Sequence, residues 1–210
     1  MASWSGTGTD VGFHTRDEDR VWTPPREAIE NVMFLPSPFQ FAPNRWKRVA
    51  VVHEMIAKEW VNGGCVATFY QLDGGSLKGV EIETAHLIAA LERIGEDRAF
   101  PKEIAGCSVE YLRGGKVWSE TLQRFGNAIF LALSQGGAYS QKPLGGDKAR
   151  EIVTNYIAAM FEDSPENSLF FFGLDPGFSS WFRGVYWDVA YTIFNTHENW
   201  LALILATDTD

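Results

Sequence analysis

Residues 189–206, VAYTIFNTHENWLALILA, decide the fold of this chain. Two apolar stretches, Val189–Phe194 and Trp200–Ala206, are separated by the polar segment Asn195–Asn199. Short apolar stretches joined by a polar turn are typical of a β-hairpin. Both stretches are apolar at consecutive positions, which is the pattern of strands that are buried on both faces. We therefore predict a C-terminal hairpin near the centre of an antiparallel sheet.

Helical periodicity upstream of the hairpin predicts helices that cover this sheet. Apolar residues recur at i, i+3 and i+4 in four segments, which end near Gly-Gly pairs or polar turns. The predicted helices are Arg45–Val61, Glu81–Ile94, Trp118–Ser134 and Asp147–Phe161, with Asp147 as the N-cap of the last. Further strands are predicted at Val66–Leu72, Ser108–Leu112 and Leu169–Leu174. The fold class is therefore α+β, a mainly antiparallel sheet with a C-terminal hairpin packed against about four helices.

The N-terminal part has a different character. Residues 1–22 are small and polar and then acidic, which predicts a mobile arm ahead of a single α+β domain at residues 23–210. A short helix is predicted at Arg26–Met33. The proline-punctuated segment Phe34–Phe41 should run extended with its aromatic side chains inward, and its prolines exclude it from the centre of a sheet.

Composition restricts the partners and the compartment. The chain of 210 residues has a formal net charge of −9, and its 18 basic residues are scattered, which argues against a nucleic-acid partner and favours a basic protein surface. The N-terminus has no signal-peptide pattern, and the longest apolar run is far too short to span a membrane. The two cysteines, Cys65 and Cys107, are read as reduced thiols. We expect a soluble, cytoplasmic protein without contact to membranes.

Four residues form the candidate catalytic set: His53, Glu83, His86 and Asp175. A zinc-protease helix needs a second histidine one turn after His53, but that position is Ala57. Glu83 and His86 have the i, i+3 spacing of di-iron helix bundles, yet no other histidine has a glutamate three residues before it. We therefore predict no metal site. Glycine-rich nucleotide-binding motifs are also absent, so no cofactor is predicted.

Two groups of residues are candidate binding determinants. Trp181, Phe182 and Arg183 are predicted to lie in a loop, where aromatic and arginine side chains often anchor a partner. Asp208 and Asp210 follow the last strand, and we expect both carboxylates to lie in water as an acidic tip.

The C-terminal residues 187–210 resemble the closing hairpin of immunity proteins that neutralise bacterial polymorphic toxins. The resemblance rests on Trp187-Asp188 before a strand, the polar turn, Trp200 at the start of an apolar strand, and the final Thr207-Asp208-Thr209-Asp210. It implies a cytoplasmic, non-enzymatic inhibitor that places an acidic surface against the active site of a toxin.

Three functions remain open at the level of the sequence. The first is a non-enzymatic acidic binding or inhibitor protein, of which an immunity protein that neutralises a toxin is the specific case. The second is a hydrolase or transferase whose site is assembled from the four candidate catalytic residues. The third is a structural or assembly subunit, which the arm at residues 1–22 and the proline-rich segment would suit.

Overall fold

A six-stranded antiparallel sheet lies at the centre of the protein, with helices on both faces. The computed structural model describes residues 28–29, 32–36, 43–60, 62–137, 143–182, 184 and 188–208. The strands are β1 (Met33–Pro36), β2 (Gly64–Asp73), β3 (Val117–Glu120), β4 (Leu169–Leu174), β5 (Val189–Asn195) and β6 (Trp200–Thr207). The helices are α1 (Pro43–Glu59), α2 (Thr84–Glu96), α3 (Val109–Arg113), α4 (Leu122–Ser134) and α5 (Gly146–Phe161). The strand order is β1-β2-β6-β5-β4-β3, and the predicted fold class is confirmed.

The C-terminal hairpin occupies the predicted place in the sheet. β6 lies between β2 and β5, and each strand of the hairpin is one residue longer than its apolar pattern indicates. Asn195 shapes the turn, because its Oδ1 accepts hydrogen bonds from the backbone N–H groups of His197 and Glu198. The Asn199 side chain donates to the carbonyl oxygen of Leu72 at 2.7 Å, which ties the turn to the end of β2.

β6 is buried on both faces because it separates two apolar cores. Leu201, Leu203 and Leu205 pack in the core beneath α2. Ala202 and Ile204 point to the opposite side and pack against α1, α4 and α5. The consecutive apolar residues of β6 therefore reflect its position between two layers of helices.

The predicted strand Ser108–Leu112 is wrong. The segment forms the short helix α3 instead, in which Ser108 is the N-cap and its Oγ accepts the backbone N–H of Tyr111 at 3.1 Å. Side chains of this type satisfy free N–H groups at helix starts, and this local effect outweighs the strand-like composition.

The predicted helix Trp118–Ser134 is right only from Leu122 onward. Its first residues, including Trp118, form β3, which pairs with β4. Thr121 then caps α4 by accepting the backbone N–H of Arg124. Pairing with β4 is a long-range contact, so helical periodicity could not reveal it.

The other helices agree with the sequence pattern to within a few residues. α5 begins at Gly146 with Gly145 as its N-cap, so the prediction that Asp147 is the cap is wrong. Within the described ranges, no helix combines the length and the apolar character needed to cross a membrane.

Part of the predicted N-terminal organisation lies outside the described residues, including the whole arm at residues 1–22. Of the predicted helix Arg26–Met33, the described residues 28–29 are helical, but Met33 already begins β1. Phe34 is buried in β1, which lies at one end of the sheet, as the prolines of this segment require. Residues 37–41 of the predicted extended segment are outside the described ranges.

Candidate functional site

His53, the first residue of the candidate catalytic set, is part of a helix–helix contact. It lies on α1, and its Nε2 is 2.9 Å from the hydroxyl oxygen of Tyr156 on α5. Burial lowers the pKa of His53 to about 4, so the imidazole is neutral at physiological pH. A neutral histidine paired with a buried tyrosine between two helices stabilises their packing.

Glu83 and His86 owe their spacing to a helix cap. The backbone N–H of Glu83 donates to Nδ1 of His86 at 3.1 Å, and the Glu83 side chain accepts the backbone N–H of His86. This reciprocal pair is a capping box at the start of α2. α2 packs on the opposite face of the sheet from α1, so His86 and His53 belong to different cores.

Asp175 lies at a third place, directly after β4. Its Oδ1 accepts the Gly177 backbone N–H and the Tyr111 hydroxyl, each at 2.9 Å, and its Oδ2 is 3.3 Å from Nζ of Lys116. Burial alone would raise the pKa of Asp175, but these hydrogen bonds and the ammonium group outweigh it and lower the pKa. The carboxylate is therefore ionised and holds the chain turn after β4.

The structure does not bring the four candidate catalytic residues together. His53 lies in one core, Glu83 and His86 form a cap on the other face of the sheet, and Asp175 stabilises a turn. Among the residues that the structure describes, no three His, Cys, Asp or Glu side chains are grouped so that they could hold a metal ion.

The aromatic pair of the predicted binding loop belongs to the core or its border. Phe182 is 6% exposed and packs against the ring of Phe178 at 5.7 Å between centroids. Trp181 is half-buried against the same core, with its ring 5.1 Å from that of Phe182. The expectation that Phe182 faces a partner is therefore wrong, because its ring packs into the core. Arg183 lies outside the described residues.

Asp208 is buried, so the expectation that it lies in water is wrong. One carboxylate oxygen, Oδ1, accepts the backbone N–H of Asn62 at 3.2 Å. The chain at Gly137 passes so close to the carboxylate that a Cβ at this glycine would collide with it. The close backbone approach, which only glycine permits, removes Asp208 from solvent. Asp210 lies outside the described residues.

A cleft of about 320 Å³ opens between α4, the edge strand β3 and the start of β5. Its lining is mostly apolar, and two large side chains on its border are unusually exposed. Trp118 of β3 and Leu131 of α4 are each 43% exposed. The other residues of the lining are Trp60, Ala128, Ala132, Gln135, Gly136, Leu174, Pro176, Asp188, Val189, Ala190 and Tyr191.

Trp118 takes its position from Gly173 of β4. The two residues are opposite each other in the sheet, and Gly173 is in turn opposite Tyr191 of β5. Because Gly173 has no side chain, the Trp118 indole lies directly over it, where any Cβ would collide with the ring. The indole Nε1 donates to Oε1 of Glu120 at 2.6 Å, which fixes the orientation of the ring.

Asp188 and Tyr191 bring polar groups to the lining of the cleft at the start of β5. Asp188 precedes β5, and its Oδ1 accepts the hydroxyl of Thr207 at 2.5 Å. Burial, with the nearby negative charge of Glu120, raises the pKa of Tyr191 to about 12, so this phenol stays neutral. The site therefore combines apolar walls, neutral aromatic rings and a carboxylate.

Comparison with known proteins gives no family for this site: no protein-family model matches the chain, and no curated protein matches it significantly.

Sequence reasoning missed this cleft because it placed Trp118 inside a helix. Thr121, a favourable N-cap residue, was the local signal that the helix begins after Trp118. The contribution of Gly173 had no local signal, because it depends on the pairing of β3 with β4.

Proposed function

We propose that this protein is a binding protein of the inhibitor class, which holds a segment of a partner protein at the cleft between Trp118 and Leu131. The main support for this proposal is that large exposed apolar side chains cluster at this cleft. The five large apolar side chains that are most exposed in the described ranges include Trp118 and Leu131, which border the same cleft. Tryptophan is enriched at the centre of protein–protein interfaces.

The charge of the chain supports a basic partner. A net charge of −9 accelerates the encounter with a positively charged surface, and the charged side chain that the structure describes in the cleft lining is the carboxylate of Asp188. The resemblance of residues 187–210 to immunity proteins leads to the same class, an inhibitor of a toxin. We further propose that it acts in the cytoplasm, in keeping with two free thiols at Cys65 and Cys107.

The enzyme alternative has less support, because its four residues belong to separate structural contacts. The alternative of a structural or assembly subunit depended mainly on residues 1–22, which the structure does not describe, and no described feature favours it over the binding function.

Co-expression in cells tests the proposal. Each protein that is encoded next to the gene of this chain is induced alone and then together with the chain. We expect one neighbour to stop growth and the chain to restore it. A set of neighbours that are all harmless, or a toxic neighbour that the chain does not neutralise, contradicts the inhibitor function.

The position of the binding surface is tested with a pair of matched variants. We expect Trp118→Ala to reduce protection and binding of the toxic neighbour at least tenfold, because loss of an aromatic interface anchor often costs about 2 kcal/mol or more, which is about thirtyfold in affinity. The control is Val51→Ala, which shortens an apolar side chain that is 51% exposed on α1, away from the cleft. Equal protection by both variants would place the partner elsewhere.

A further inference from the structure

We propose that the cleft binds a guanidinium group, as an arginine side chain of the partner, stacked on Trp118 and paired with Asp188. This inference rests on the proposed function, because it names the chemistry that the partner presents.

Three aromatic side chains line the cleft together with one carboxylate: Trp60, Trp118, Tyr191 and Asp188. The face of an aromatic ring carries partial negative charge and attracts a cation, most strongly in tryptophan. Trp118 is the ring with a large accessible surface, since it is 43% exposed, whereas Trp60 is 2% exposed. Trp118 therefore offers a cation a more accessible aromatic surface in the cleft than Trp60 does.

The environment of the Trp118 ring strengthens this attraction. Its Nε1–H donates to the carboxylate of Glu120 at 2.6 Å, and a charge-assisted hydrogen bond of this kind polarises the indole toward a more negative face. The Arg124 guanidinium is 3.7 Å from the other carboxylate oxygen of Glu120, and because its side chain is 72% exposed, solvent screens its charge. No basic side chain occurs among the cleft-lining residues in the described part of the chain.

A guanidinium group fits this arrangement better than an ammonium group. It is planar and weakly hydrated, so it can stack parallel to the indole while its N–H groups point outward in the plane of the guanidinium itself. In that plane they can donate to the carboxylate of Asp188 at the other border of the cleft. The apolar walls at Ala128, Leu131 and Val189 then cover the methylene groups of the same side chain.

The experiment uses small probes and the purified full chain, without a partner. N-acetyl-arginine methylamide is titrated into ¹⁵N-labelled protein and compared with N-acetyl-citrulline methylamide, which has nearly the same shape but no charge. The indole N–H signal of Trp118, assigned by its loss in Trp118→Phe, reports binding. We expect this signal to shift with the arginine probe and the arginine probe to bind at least fivefold more tightly than the citrulline probe.

Two carboxylate variants identify the source of the discrimination. Asp188→Asn keeps an oxygen that can accept the Thr207 hydroxyl but removes the charge, and we expect it to reduce the preference for arginine to less than twofold. The control Glu162→Gln removes an exposed negative charge beyond the end of α5 and should leave the preference unchanged.

The comparison of the two probes on the unaltered chain does not depend on any variant. Equal affinity for arginine and citrulline, or no shift at probe concentrations up to about 20 mM, well above the millimolar dissociation constants of small ligands, overturns the inference. A preference for the arginine probe over the citrulline probe that persists in Asp188→Asn also overturns the inference. If protection of cells persists while this preference is absent, the guanidinium inference fails and the proposed function stands.

Discussion

Glu198 in the hairpin turn should be one of the most important side chains for stability. Its carboxylate accepts two hydrogen bonds from the Arg45 guanidinium, at 2.7 and 2.9 Å. It also accepts one each from Ser164, Asn195 and Trp200. The perturbation is Glu198→Ala, which removes the acceptor that these donors share.

The expected loss follows from the burial of the pair. The side chain of Arg45 is 8% exposed, and breaking a buried ion pair by removing one partner costs about 3–5 kcal/mol. Arg45 keeps hydrogen bonds to the carbonyl oxygens of Ala159 and Met160, and Glu198 is 22% exposed, so water can replace part of what is lost. We therefore expect the lower end, about 3 kcal/mol in the free energy of unfolding.

Urea unfolding followed by tryptophan fluorescence measures this change. With a urea m-value of about 2–3 kcal/mol/M, the midpoint should fall by about 1–1.5 M. The control is Glu162→Ala, which breaks the pair with Arg48 of the same helix α1. Both side chains of this pair are more than half exposed, at 52% and 54%, so we expect less than about 1 kcal/mol.

The pH dependence gives a second readout of the same residue. Burial would raise the pKa of Glu198, but the hydrogen bonds from Arg45 and Trp200 outweigh it and hold the pKa below its ordinary value of 4.5. The stabilisation is therefore present above pH 4.5 and is lost as the pH falls through the lowered pKa. The difference between the unaltered chain and Glu198→Ala should shrink in that range. Equal destabilisation by the two alanine variants at pH 7 would refute this reasoning.

Two further predictions concern the core and the cleft. Because burial lowers the pKa of His53 from 6.5 to about 4, the unfolded chain binds the proton first, and stability should fall by up to about 3 kcal/mol between pH 6.5 and pH 4. Urea midpoints across this range should show a shallower slope in His53→Gln, and an unchanged slope would contradict the assignment. Gly173→Ala should displace the Trp118 indole, because the new Cβ would collide with it, and should change the fluorescence and the N–H signal of that tryptophan. The control Gly145→Ala adds a Cβ in open space, and an equal effect from both would be inconsistent with a cleft built on Gly173.

The glutamate and histidine at the start of α2 show how one spacing serves two interpretations. Glu83 and His86 are three residues apart, which suits both a metal pair and a capping box. The sequence could not distinguish them, because a metal site needs ligands from other elements. In the structure the backbone N–H of Glu83 donates a hydrogen bond to the His86 ring. The three-residue spacing therefore serves the helix cap and needs no metal ion to explain it.

What the sequence determined by itself is the interior of the sheet. The consecutive apolar residues of β4, β5 and β6 predict strands that are buried on both faces, and the polar turn between β5 and β6 sets their antiparallel pairing. Helical periodicity likewise predicts α1, α2 and α5, because burial of one face of a helix imposes a repeat that is visible locally.

The tertiary structure alone determined which side chains near the cleft and the C-terminus are exposed and which are buried. Trp118 became a cleft wall because β3 pairs with β4 opposite Gly173, and Asp208 became buried because the chain at Gly137 passes over it. Both outcomes depend on the approach of segments that are far apart in the chain. The local pattern of apolar residues indicates which side chains are buried. The shape of a binding surface depends on which segments, distant in the sequence, come into contact.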